Sequence, residues 1–281
     1  MITIHLMGGL GNQLFQIFTC ISYCLRHKLP FKLPEHKHKL KSAGGSDRPT
    51  YWDTFLKRLK PFLLKEIPRN TPVYKETTFH YVPLQLVTNQ NFIFYGFFNS
   101  YKYFEDQYSN VHRLLNISSF KTQSRENYPE YFNEPIISIH FRHGDFKDIQ
   151  ESHPILSNQY YINSLQNIID KTNKNNWSCL YFCEKDDNKA IEIKIKILKR
   201  RFKHLKFIKA SDKAEDWQQL LLMSCCQHNI IANSAFSWWG AYFNENTEKI
   251  VCYPDVWFGS KLSQNDTKDL FLNSWNKISN S

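Results

Sequence analysis

A chain of 281 residues with 42% hydrophobic and 16% aromatic side chains is a folded globular protein with room for two domains. No window holds the roughly 18 uncharged apolar residues a membrane span needs; the longest apolar stretches, such as 220–226, are half that length. The formal charge of +10 is an excess that attracts nucleic acid, an anionic membrane or a phosphorylated small ligand.

Residues 2–7 read as a buried first strand, and Met1 runs into it with no basic leader, which predicts a cytoplasmic protein. The turn G-G-L-G-N-Q follows over 8–13, and then Leu14, Phe15, Ile17, Phe18, Ile21 and Leu25 give one helical apolar face. Strand, glycine turn and helix suggest an anion-facing loop at a helix N-terminus, with Gly9 and Gly11 at the turn. Leu14 stands where the dinucleotide fingerprint needs its third small residue, and no P-loop lysine is present. Residues 30–83 are irregular, with loops and one or two helices expected. Residues 92–98 are a strand and turn, 101–115 an amphipathic helix, and 118–133 a polar linker between the two halves.

The second half alternates strand and helix. Residues 136–141 form a strand that ends in H-F-R-H-G-D. Period-two alternation puts Ile137, Ile139 and Phe141 on one face and Ser138, His140 and Arg142 on the other. Polar groups thus gather at the strand's carboxyl end, where open α/β sheets hold ligands. Arg142 is the candidate phosphate grip, with His140 in the same crevice and Asp145 a positional candidate for proton transfer. A helix over 159–169 and a strand over 178–183 follow, the latter ending at Glu184, Asp186 and Asp187. The alternation I-E-I-K-I-K-I within 190–202 suggests strand, but a parallel crossover to the strand at 206–208 needs a helix there. Asp212 and Glu215 mark the start of a helix that ends near His228, and 230–232 is a short strand. The segment N-S-A-F-S-W-W-G-A begins at Asn233. Ser237 is the expected N-cap, and Asn233, Ser234, Phe236 and Ser237 form a second anion-facing loop.

Seven cysteines, with Cys225 and Cys226 adjacent, fit reduced thiols packed as small hydrophobes better than a disulfide scaffold. N-x-S/T triplets at Asn116, Asn176 and Asn265 matter only in a secretory pathway. The basic stretches at 36–41 and 185–209 lack the interleaved aromatics of a single-strand binder, so no nucleic-acid partner is expected. They leave room for peripheral membrane association without a span.

Four segments in order along the chain resemble glycosyltransferase family 11, the GDP-fucose-dependent α-1,2-fucosyltransferases. They are G-G-L-G-N-Q-L-F-Q at Gly8, G-F-F-N-S-Y-K-Y-F at Gly96, H-F-R-H-G-D at His140, and L-M-S-C-C-Q-H-N-I-I-A-N-S-A-F-S-W-W-G-A over 222–241. The resemblance implies an α/β, GT-B-like protein: two Rossmann-type halves facing across a cleft, an acceptor-side domain over 1–125 and a nucleotide-sugar domain over 126–281. It implies inverting transfer of L-fucose from GDP-β-L-fucose to the 2-hydroxyl of a terminal galactose, with GDP-fucose as donor substrate and no cofactor or metal. It puts Arg142 on the β-phosphate, His140 near the guanine, Asn12 by the pyrophosphate or sugar, and the 233–237 loop around phosphates. The absence of a D-x-D signature agrees, since Asp186–Asp187 is an adjacent pair and His140, His143 and His153 lack zinc spacing. The chain departs from the family's text twice. His143 replaces a second arginine, making that cation absent or pH-dependent. Gln219 replaces an acidic residue that reads guanine, and Asp216 lies one turn earlier on the same face. Transfer from another nucleotide sugar, and a lapsed enzyme that only binds nucleotide or glycan, are the alternatives.

Overall fold

The computed structural model describes residues 1–36, 39–42, 44–87 and 91–281; Lys37 and His38 of the first basic stretch lie outside the described residues. The chain divides into two compact units, Met1–Ser119 with Gln264–Leu272, and Phe120–Ser263 with Asn273–Ser281. The break therefore precedes residue 125, and a late segment returns to the first unit. That return rests on buried polar bonds. Ser100 Oγ donates to the Asp269 carbonyl (2.6 Å), and the Asp269 carboxylate takes Lys102 Nζ (2.6 Å) and the Tyr81 amide (3.2 Å).

In the first unit, β1 (Ile2–Ile4) leads through the 8–9 turn into α1 (Leu10–Arg26). Helix α1 is buried almost all round, as expected of a helix apolar on most faces. Two-residue strands follow, with β2 (Leu33–Pro34) beside β5 (Leu63–Leu64) and β3 (Leu40–Lys41) beside β4 (Asp47–Arg48). Strands β6 (Val73–Lys75) and β7 (Phe92–Tyr95) join β1 in a parallel sheet of order β1-β7-β6. Tyr23, Phe92, Phe94, Phe98 and Phe104 are among the buried aromatics that fill this unit. The helix expected over 101–115 is two 3₁₀ turns followed by α2 (Tyr108–Leu115), which ends at Asn116 in the left-handed conformation (φ 59°).

The stretch read as a linker is helical. Helix α3 (Ile117–Asn127) buries Ile117, Phe120, Lys121 and Ser124, and a 3₁₀ turn spans Pro129–Phe132. Lys121 tolerates burial because its ammonium donates to the Phe243 carbonyl (2.8 Å) and pairs with Glu245 (2.6 Å).

The second unit then runs β8 (Ile136–His140), α4 (Asn158–Thr172), β9 (Ser178–Phe182), α5 (Asn188–Arg201), β10 (Lys206–Lys209), α6 (Asp216–Ser224), β11 (His228–Ile230), α7 (Ala235–Tyr242), β12 (Val251–Pro254) and β13 (Asn276–Ile278). All six strands are parallel, in the order β10-β9-β8-β11-β12-β13. Counted from β8 this is 3-2-1-4-5-6, the doubly wound order whose topological switch lies between the first and fourth strands. One face of β8 (Ile137, Ile139) packs with Tyr160, Leu165, Ile191 and Ile195. The other (Ile136) joins Leu180, Leu222 and Met223. The ambiguous 190–202 stretch is helical because Ile191, Ile195 and Leu198 meet that core while Ile193 stays 62% exposed. The protein is thus α/β, with a parallel sheet in each unit. All seven cysteines are free thiols, and among the described residues no helix is long and apolar enough to cross a membrane.

Candidate active site

Strand β8 ends at the switch point, with His140 the last residue of its polar face. His140 is 7% exposed, its ring centroid 5.5 Å from that of Phe236, and its Nδ1 has no hydrogen-bond partner. Burial first, and then the neighbouring Arg142 charge, push its pKa down to about 3. The imidazole is neutral at physiological pH and keeps an open nitrogen for a ligand edge.

The Arg142 guanidinium pairs with Asp145 on its own loop and with Glu184 beyond β9. It lies 4.6 Å over the Phe146 ring. The Asp145 and Phe146 contacts fix its plane, as a bidentate phosphate grip requires. They also make Asp145 the group that orients Arg142. Gly144 is required here. Its φ is +41°, and a Cβ would meet Arg142 Nη1 at 2.5 Å and both Glu184 oxygens at 2.8 Å. The Gly144 amide donates to Asp187 (2.7 Å), which is itself paired with Lys147. His143 is buried with Nε2 unpartnered, and burial followed by the Lys194 charge pushes its pKa down to about 4. Near neutrality it therefore supplies no second cation.

Across the switch, the loop after β11 differs from expectation. Ser234, not Ser237, caps α7, its Oγ accepting from the Phe236 amide (3.3 Å). Ser237 Oγ is spent inside the loop, accepting from the Ala232 amide (3.1 Å) and lying 3.4 Å from the Ser234 carbonyl it can donate to. Asn233 Nδ2 ties the loop to the Pro154 carbonyl (2.9 Å) and the Trp257 carbonyl (3.3 Å), leaving its buried Oδ1 unpartnered. The side chains here brace the loop, and Phe236 is the one packed against His140.

On α6 the cap is Glu215 in a capping box with Gln218, displacing Asp212 from the expected start. Asp216 follows, exposed, its carboxylate accepting from the Trp217 amide (2.7 Å). Gln219 donates to the Ala214 carbonyl (2.9 Å). Gly9, Gly11 and Asn12 belong to the first unit. Gly8 there has φ +74°, and a Cβ would meet Asn12 Nδ2 at 2.5 Å. Gly9 is the N-cap of α1 with no side-chain bond. Buried Gln13 donates to the Gly8 (3.0 Å) and Pro49 (2.9 Å) carbonyls.

Residues 1–279 match the family described as Glycosyl transferase family 11. The chain belongs to that family. It is similar to an alpha-1,2-colitosyltransferase of Escherichia coli, 24% identical over 271 residues that cover 90% of this chain and 91% of that protein. The E. coli O-antigen biosynthesis glycosyltransferase WbnK is 46% identical over 54 residues, 19% of this chain and 18% of its own. Among solved structures, a glycosyl transferase family 9 protein from Veillonella parvula DSM 2008 matches with 10% identity and TM-score 0.47, covering 99% of this chain and 86% of that one. The E. coli ADP-heptose LPS heptosyltransferase II matches with 13% identity and TM-score 0.38, covering 57% and 43%.

As a family 11 glycosyltransferase the protein takes a nucleotide-sugar donor and a glycan acceptor. Two acidic residues of interest are absent from the candidate site residues named from the sequence. Glu184 opens an acidic cluster at a strand end, and that position was the available signal. Glu76 follows β6 in the irregular region and had none. Its carboxylate accepts from the Phe97 (2.7 Å) and Phe98 (3.0 Å) amides. Among the described residues no cluster of three or more His, Cys, Asp or Glu is arranged to hold a metal ion.

Proposed function

We propose that the protein transfers L-fucose from GDP-β-L-fucose, with inversion and without metal, to the 2-hydroxyl of a terminal galactose. The observation that carries this reading is the Arg142 guanidinium, oriented at the switch point beside a neutral His140, in a chain matching the family over 1–279. The acceptor oxygen attacks the anomeric carbon as its bond to the β-phosphate oxygen breaks. GDP leaves with the electron pair, and the hydroxyl proton passes to a base or to water. Arg142 stabilises charge on the departing diphosphate, and His140 meets the guanine edge.

The E. coli relative's name favours a second donor, since colitose is fucose lacking its 3-hydroxyl. The two separate sharply. A site that hydrogen-bonds the 3-hydroxyl rejects the deoxy sugar by roughly 10⁴-fold, whereas an apolar contact there discriminates only about 10²-fold. The test incubates purified protein with GDP-fucose, GDP-colitose and UDP- and ADP-sugars on galactose-terminated glycans, with and without EDTA, and reads the product linkage by NMR. Fucose in α-1,2 linkage, unaffected by EDTA, is expected. Preference for GDP-colitose installs the second reading, and turnover confined to another nucleotide sugar, or loss with EDTA, contradicts the first.

A further inference from the structure

Arg142 is held by two carboxylates of unequal freedom. Asp145 is 5% exposed and three residues away on the same loop, whereas Glu184 is 46% exposed and comes from a different loop. Two negative charges around one positive leave the trio net negative, so a diphosphate is attracted only once a carboxylate moves away. Asp145, nearly buried and three residues from Arg142 on the same turn, has little room to move away. Glu184 has that room.

Where Glu184 goes follows from the sheet. Strand β9 is second in the doubly wound order, and His140 of β8 lies in register with Phe182 of β9. Arg142 and Glu184 therefore stand two residues past matched positions, at the ends of the first and second strands. In this topology phosphates sit beyond the first strand, and an acidic side chain beyond the second faces the nucleotide's ribose. The other acid of this corner with a described role is already engaged, since Asp187, 1% exposed, takes the Gly144 amide and Lys147. A carboxylate is acceptor-only with two oxygens, which matches the two vicinal hydroxyl donors of a ribose. We propose that Glu184 is an exchangeable counter-ion: it releases Arg142 to the donor's diphosphate and takes the ribose 2′- and 3′-hydroxyls in return. This deepens the donor reading above and rests on it for the nucleotide class, though not for the base.

The test is calorimetric titration of the full chain with GDP, 2′,3′-dideoxy-GDP and inorganic pyrophosphate. Wild-type protein should prefer GDP over its dideoxy analogue by about 10-fold or more, the worth of hydrogen bonds to a charged acceptor. In Glu184→Ala that preference should vanish while pyrophosphate binds several-fold more tightly, because the counter-ion is gone and the ribose contact was never used. Glu184→Gln should keep the pyrophosphate gain and part of the ribose preference. The proposal is overturned if Glu184→Ala weakens pyrophosphate along with GDP, which marks a clamp on Arg142, or if the ribose preference survives. ADP and UDP run in parallel separate the two readings. Tighter binding of either contradicts the guanine donor, and the ribose comparison then proceeds on that nucleotide.

Discussion

At the carboxyl edge of the second unit's sheet a guanidinium, Arg142, lies between two carboxylates. At the same edge of the first unit's sheet a carboxylate, Glu76, is held by the Phe97 and Phe98 amides. Among the described residues no cation pairs with Glu76, and burial pushes its pKa up from 4.5 to about 7. Both edges follow short parallel strands and both face a glycine whose Cβ would collide with the charged group. The difference lies in sign. A diphosphate gains from the first arrangement once Glu184 yields, and is repelled by the second. On the function proposed above, phosphate chemistry belongs to the β8–β11 edge, while the Glu76 edge, beside half-exposed Tyr95 and Phe97, is unsuited to an anion.

The largest effect belongs to the guanidinium. Arg142→Ala should lower kcat/KM by roughly 100- to 1000-fold, about 3 kcal/mol of lost charge stabilisation, in steady-state assays with donor varied. Glu76→Gln should change it far less, and equal losses would erase the contrast between the edges. Next comes Gly144→Ala, expected to cost about 10- to 100-fold in kcat, because the added methyl displaces Arg142 Nη1. Its stability loss should stay near 1 kcal/mol, from the positive φ.

The two edges should also respond oppositely to pH. Glu76 titrates higher when folded, so between pH 4.5 and about 7 it binds more proton in the folded state, and its contribution to first-unit stability is lost as pH rises through that window. His140, at about 3, and His143 and His228, at about 4, lie below their ordinary 6.5. The unfolded chain takes those protons first, so the second unit loses stability as pH falls below about 6.5. Hydrogen exchange across this range should show the second-unit trend, and the difference between wild type and Glu76→Gln should isolate the Glu76 contribution to the first unit. His5 and His36, whose pKa values desolvation lowers, oppose that contribution. The smallest effect is Ser234→Ala, about 1 kcal/mol from a lost cap, measured by denaturant unfolding, with transfer activity little changed.

Strand β8 was legible because an apolar run ends abruptly in charged residues, and period two then fixes which side chains share a face. Helix α5 was legible only through topology, since its alternating isoleucines imitate a strand. Helix α3 was not, because its buried lysine is stabilised by Phe243 and Glu245, more than a hundred residues on. The cap of α7 was misplaced by three residues, as two serines compete and only backbone geometry decides. Glu76 and the role of Glu184 depend on partners 21 and 42 residues distant, which spacing cannot reveal.

The most direct test of the account is where a donor diphosphate lies. A crystal structure with GDP bound should show both phosphates at the ends of β8 and β11, the β-phosphate on Arg142 and the guanine beside His140. Phosphate density on the Gly8–Asn12 turn of the first unit, with Arg142 still paired to Glu184, would contradict it.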